Sequence, residues 1–159
     1  MYSLTSGDAK NTGDMVIGNI YMLSNSVVVL FDSGVTHSFI SRGFIKMCGL
    51  ETQSLDAELE VVTPIGSVVA CSKVIRDCPM GIQERMMFAN LIVFDMHGFD
   101  IILGMDWVAA NYASIDCHRK EVVFIPPGEQ EFMFVGSCVC STPWILSAIQ
   151  ARRLLLEGC

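Results

Sequence analysis

The sequence predicts a mainly β domain with one or two short helices, and three observations predict it. Short runs of β-branched and aromatic residues recur between turn residues from about position 15 to 125. No long stretch with a 3.6-residue apolar period competes with them. The runs are also closely spaced, which suits antiparallel hairpins closing into a small barrel or sandwich, without the crossover helices of a parallel sheet.

Taken in order, residues 1–11 have no basic segment followed by an apolar run, and they are expected to form a flexible N-terminus. Strands are expected at Met15 to Leu23 and Ser26 to Phe31, each a β-rich run bounded by turn residues. A short helix fits Ser38 to Met47, because Cys48-Gly49 supplies a C-cap. Ala57 to Thr63 and Ser67 to Val74 read as the arms of a hairpin with Pro64 and Gly66 at its tip. Strands follow at Met86 to Phe94 and Asp100 to Leu103, then a helix at Met105 to Asn111 directly after Gly104, and a strand at Glu121 to Ile125. Pro126-Pro127-Gly128 ends the β region, so the domain is expected to span 12–128. Residues 129–159 read as a C-terminal linker, with helical character from Pro143 to Leu156.

Composition narrows the function classes. A chain of 159 residues with 52% hydrophobic and 17% charged residues forms one domain with a real core. Ten Lys and Arg against seventeen Asp and Glu give a net charge of −7, a field that opposes a phosphate backbone, so no nucleic-acid partner is expected. No apolar run approaches the roughly 18 residues of a membrane span, so no membrane partner is expected either. Seven cysteines, an odd count without a signal peptide, favour reduced thiols and a cytoplasmic location.

Two segments carry chemistry. The apolar run Val27-Val28-Val29-Leu30-Phe31 leads straight into Asp32-Ser33-Gly34, placing a carboxylate at a strand end on a tight turn whose glycine leaves backbone N–H groups open. Alone, such a triplet is most often a simple polar turn. The second segment, Phe99-Asp100-Ile101-Ile102-Leu103-Gly104-Met105-Asp106-Trp107, is another apolar strand ending in glycine before a helix; alone it reads as a core strand. Together with Val35-Thr36-His37-Ser38-Phe39-Ile40-Ser41 and Ala113-Ser114-Ile115-Asp116-Cys117-His118-Arg119-Lys120, they resemble the retroviral-type aspartic proteases. The likeness is specifically to the protease segment of plant gypsy-type LTR retrotransposon polyproteins, over roughly residues 12 to 128. The tail from Ser147 to Leu155 resembles the connector toward reverse transcriptase in such polyproteins.

The resemblance implies a retropepsin-like closed β-barrel with one lobe per chain. It also implies a homodimer, since Asp-Ser-Gly occurs once and the chemistry needs two carboxyl groups. Asp32 is implied as the catalytic residue, Ser33 as the hydroxyl that bonds across the dimer axis, and Gly34 as the glycine whose backbone meets carboxylate and substrate. Val35, Thr36 and His37 are implied as substrate-binding; by its residue type alone, His37 is equally a polar turn residue. Val35 stands where the family usually has alanine, so its extra methyl groups are expected to narrow a substrate pocket or shift the loop. Thr63, Pro64, Ile65 and Gly66 fall at the family's flap, which closes over a polypeptide substrate. Ile102, Leu103 and Gly104 are implied as core support of the site.

Other chemistries have less behind them. Cys138-Val139-Cys140 and Cys117-His118 lack the spacing of a structural zinc site, so no metal is expected. Phosphate-cradling glycine motifs are absent and no cofactor is expected. The ten methionines read as core filler. Two rival readings remain: an inactive retropepsin-like remnant serving as a dimerising module, and a host protein akin to ubiquitin-shuttle factors with a related domain. Met105-Asp106-Trp107 and the 114–120 segment favour the transposon origin.

Overall fold

The computed structural model describes residues 15–62 and 68–136. In chain order these form β1 (Met15–Met22), β2 (Asn25–Asp32), β3 (Phe39–Ser41), α1 (Arg42–Cys48), β4 (Gln53–Val62), β5 (Val68–Ile82), β6 (Arg85–Phe94), β7 (Ile101–Leu103), α2 (Met105–Ala110), β8 (Ala113–Asp116), β9 (Glu121–Phe124) and β10 (Phe132–Val135). The expected N-terminal segment 1–11, the flap tip 63–66 and the helical segment 143–156 lie outside the described residues, as do Cys138 and Cys140. Among the described residues no helix is long and apolar enough to cross a membrane.

The larger sheet runs β1-β2-β7-β3-β6-β5-β4, and β5 returns to β1 through Tyr21↔Gly81, so six strands close into a barrel with β4 attached outside the ring. β5 meets three strands, β4, β6 and β1, and is bent by a bulge between Ile75 and Cys78, where Asp77 takes φ 51° and its N–H donates to Asn90 Oδ1 at 2.9 Å. Its first half pairs with β4, up to Val62↔Val68, and the strand then pairs with β6 as far as Ile82. The sequence reading ended β5 at Val74. Pro79 sits inside the strand opposite Phe88, beyond the stretch that β4 pairs, which ends at Val74.

Two hairpins turn on two residues apiece, Leu23-Ser24 (φ 51° and 67°) and Gln83-Glu84 (φ 49° and 63°). Positive φ at both positions matches the twist of the flanking strands, a role usually taken by Asn and Gly. At the first turn, Asn25 Nδ2 donates to Leu23 O at 3.0 Å and satisfies a carbonyl at the tip.

Two pairings are parallel, β2 with β7 and β3 with β6, so the structure departs from an all-antiparallel set of hairpins. β7 lies between β2 and β3, pairing Phe31↔Leu103 on one side and Phe39↔Ile102 on the other. A strand so placed is covered on both faces, which is why Val27–Phe31 and Ile101–Leu103 are continuous apolar runs without alternation. Val29, Phe31, Ile101 and Leu103 enter one apolar cluster, whereas Leu30 and Ile102 enter a second with Val35, Phe39, Ile92 and Phe99.

The helix expected from Ser38 starts instead at Arg42. Phe39–Ser41 is strand β3, and Ser41 Oγ accepts the Phe44 N–H at 3.0 Å, which sets the helix start. Gly49 ends it in the left-handed region at φ 65°, as the sequence implies. A second sheet, β10-β9-β8, packs Phe124 and Phe134 onto the first cluster, where Trp107 meets Phe124 edge-on at 5.8 Å. β8 and β10 are absent from the sequence reading, and β10 carries packed structure beyond residue 128. Phe134 lies 5.2 Å from the Phe31 ring, and a Cβ on Gly18 would fall 2.5 Å from the Phe134 ring. β10 therefore sits against a strand that glycine keeps low.

Candidate active site

Asp32 is the last residue of β2, opposite Met15 of β1, and has no exposed surface in the single chain. Its turn is built from its own atoms: the Gly34 N–H donates to Asp32 Oδ1 at 2.8 Å and the Val35 N–H to the Asp32 carbonyl at 3.3 Å. One carboxylate oxygen is thus held by the backbone two residues on, a local bond open to aspartate at such a turn. Ser33 and Gly34 are half-buried on the same turn.

The Ile102-Leu103-Gly104 segment lies beside this turn because Phe31↔Leu103 is the last β2–β7 pair. Past it, the chain is strapped to the loop that follows Asp32. The Met105 N–H donates to the Val35 carbonyl at 2.6 Å and the Asp106 N–H to the Thr36 carbonyl at 3.2 Å. Gly104 has to be glycine, since a Cβ there would lie 2.6 Å from the Val35 carbonyl oxygen and closer still to that of His37. Ile102 and Leu103 are fully buried.

Thr36 and His37 are half-buried on the loop, with Thr36 Oγ1 and His37 Nδ1 3.0 Å apart. Val35 is placed differently from the expectation: its side chain has no exposed surface and packs in the second cluster with Leu30, Phe39, Val61 and Ile102. In the single chain its methyl groups fill core rather than line a pocket. Thr63, Pro64, Ile65 and Gly66 connect β4 to β5 outside the described residues, so the hairpin they belong to is present while its tip is not described. Among the described residues no three His, Cys, Asp or Glu side chains gather as metal ligands.

Two residues escape the sequence reading. Ser38, fully buried, accepts the Gly104 N–H at 3.0 Å and donates to Asp106 Oδ1 at 2.7 Å; the same oxygen accepts the Trp107 N–H at 2.7 Å. The signal was available as a serine inside an otherwise apolar run, Ser38-Phe39-Ile40, and an aspartate in the first turn after Gly104. Asp100 has a comparable office at the other end of β7, where its Oδ2 accepts the Val28 N–H at 2.9 Å.

Residues 1–130 match the family model of retroviral aspartyl proteases. Among solved structures, the chain is similar to the retroviral protease-like domain of Ddi1 from Leishmania major, with a TM-score of 0.58 and 12% identity over 81% of this chain and 98% of that one. That likeness is one of fold. No curated protein sequence matches the chain.

Proposed function

The chain belongs to the retroviral aspartyl protease family, and we propose that it is an aspartic endopeptidase that works as a homodimer, each subunit supplying one Asp32. The observation that carries this reading is a lone Asp-Ser-Gly turn at the end of β2, strapped against Ile102-Leu103-Gly104. One such turn supplies one carboxyl group. Two carboxyl groups about 3 Å apart cannot both ionise, so across a twofold axis the pair shares a proton and is acid and base together.

In this mechanism the ionised Asp32 takes a proton from a water between the subunits while the protonated Asp32 of the partner hydrogen-bonds the scissile carbonyl. The resulting hydroxide adds to the carbonyl carbon, and a proton then passes to the leaving nitrogen as the C–N bond breaks. No covalent enzyme intermediate forms. Ser33 tightens the dimer axis, Gly34 offers backbone to the substrate, and an extended peptide lies as an added strand beneath the 63–66 tip. The substrate is a retrotransposon polyprotein of plant gypsy type, an origin supported by Met105-Asp106-Trp107 and the 114–120 segment.

A second reading, a non-cleaving dimerising module, draws on one observation: Asp32 has no surface open to water in the single chain. Both are tested by incubating wild-type and Asp32→Asn protein with an unfolded substrate from pH 4 to 7, following fragments by mass and oligomeric state by light scattering. Asp32-dependent cleavage by a dimer is expected. A folded protein without cleavage at any pH leaves the module reading, and cleavage by Asp32→Asn removes Asp32 from the mechanism.

A further inference from the structure

We propose that Ser38 and Asp106 are positioning residues for Asp32, acting as a buried tie that fixes the catalytic loop to the start of α2. The effect on rate rests on the proteolytic reading; the tie itself does not. Four bonds cross between the loop and the β7–α2 junction: Gly104 N–H to Ser38 Oγ, Ser38 Oγ to Asp106 Oδ1, Met105 N–H to the Val35 carbonyl and Asp106 N–H to the Thr36 carbonyl. Two are made by the one hydroxyl. Ser38 has no exposed surface, and a buried hydroxyl is costly unless it is bonded; here it accepts once and donates once, which uses its proton.

The direction of action follows from connectivity. Gly34, whose N–H holds Asp32 Oδ1, is separated by three residues (Val35, Thr36 and His37) from Ser38, and the carbonyls of Val35 and Thr36 are engaged by the α2 start. Ser38 also anchors downstream, its carbonyl accepting the Ile92 N–H at 2.9 Å, so the loop is fixed to β6 as well. Asp106 adds rigidity from the helix side because Oδ1 binds the Trp107 N–H while it receives Ser38, and Trp107 is buried in the main core. Without the hydroxyl, the Gly104 N–H loses its acceptor inside the protein and Asp106 loses the donor that aims it at the loop.

The test uses Ser38→Ala, with Ser38→Thr as the conservative variant, in two readouts. In amide hydrogen exchange of the full chain, Ser38→Ala is expected to raise exchange at Gly34, Met105 and Asp106 at least tenfold with β8–β9 amides unchanged, and Ser38→Thr to restore protection. Unchanged exchange at Gly34, or equal acceleration everywhere, overturns the tie. In cleavage assays Ser38→Ala is expected to lower kcat ten- to a hundredfold with KM within twofold. Its pH–rate bell should also narrow, because a looser loop weakens the coupling that separates the two apparent pKa values. A wild-type protein that never cleaves defeats the proteolytic reading alone; the exchange result still decides the tie.

Discussion

Replacing Phe134 tests whether β10 belongs to the folding unit. Its ring is 6% exposed, lies 5.2 Å from Phe31 at a tilt of 49°, and occupies the space over Gly18. Phe→Ala in a core costs about 3 to 5 kcal/mol, and a site on the outermost described strand of its sheet, which can partly collapse, belongs at the lower end, about 3 kcal/mol. Against a typical domain stability of about 5 to 15 kcal/mol this is a large fraction. With a urea m-value near 2 kcal/mol per molar, the midpoint of Phe134→Ala should fall by about 1.5 M, read by tryptophan fluorescence. Gly18→Ala supplies an internal control. In the parent chain its new Cβ would fall 2.5 Å from the Phe134 ring, whereas in Phe134→Ala the obstruction is gone. The double mutant should therefore recover about 1 kcal/mol or more relative to additivity. A midpoint shift below about 0.3 M, or strict additivity, would refute the packing of β10 on β1.

Two further outcomes are expected. Val35→Ala should lower stability by about 2 kcal/mol, from two lost methyl-sized groups and the space they leave, while KM for a peptide stays the same; a lowered KM at unchanged stability would restore the pocket-lining role. The Cys78 thiol is pushed up to about 11, first by burial and then by the neighbouring Cys48. The unfolded chain therefore ionises at lower pH than the folded one, so stability is full below about pH 9 and declines between about 9 and 11, by at most about 1.4 kcal/mol per unit. The chemical-denaturation slope of Cys78→Ala over that window should be shallower by that amount, and equal slopes would contradict the assignment.

The parts of the fold written in local chemistry were legible. Val27–Phe31 and Ile101–Leu103 announce buried strands by unbroken apolar runs, Gly49 announces the end of α1, and the two segments Asp32-Ser33-Gly34 and Ile102-Leu103-Gly104, singled out in the sequence, lie side by side. Three things were not. The turns at Leu23-Ser24 and Gln83-Glu84 take positive φ without Gly or Asn, so their sequences carry no hairpin signal. β3 is three residues long between the Asp32 loop and a helix, and only its place beside β6 and β7 makes it a strand. Ser38 and Asp106 are 68 positions apart, and a side-chain bond across that separation has no local trace. Val35 carries no local sign of its environment either: beside Asp32-Ser33-Gly34 it is expected to face substrate, and in the single chain it packs in the core.

Barrel closure has a further consequence for solubility. Because β5 reaches back to β1, the strand left at the end of the larger sheet is β4, paired among the described strands with β5 alone. Such a strand is a template for unwanted pairing with another copy. β4 exposes Asp56, Glu58 and Glu60 while Leu55 and Leu59 turn toward the second cluster. Two copies meeting along this strand would bring acidic rows together, a juxtaposition that destabilises strand pairs. The carboxylates thus act as gatekeepers against edge-to-edge aggregation while leaving a complementary, cationic segment free to approach.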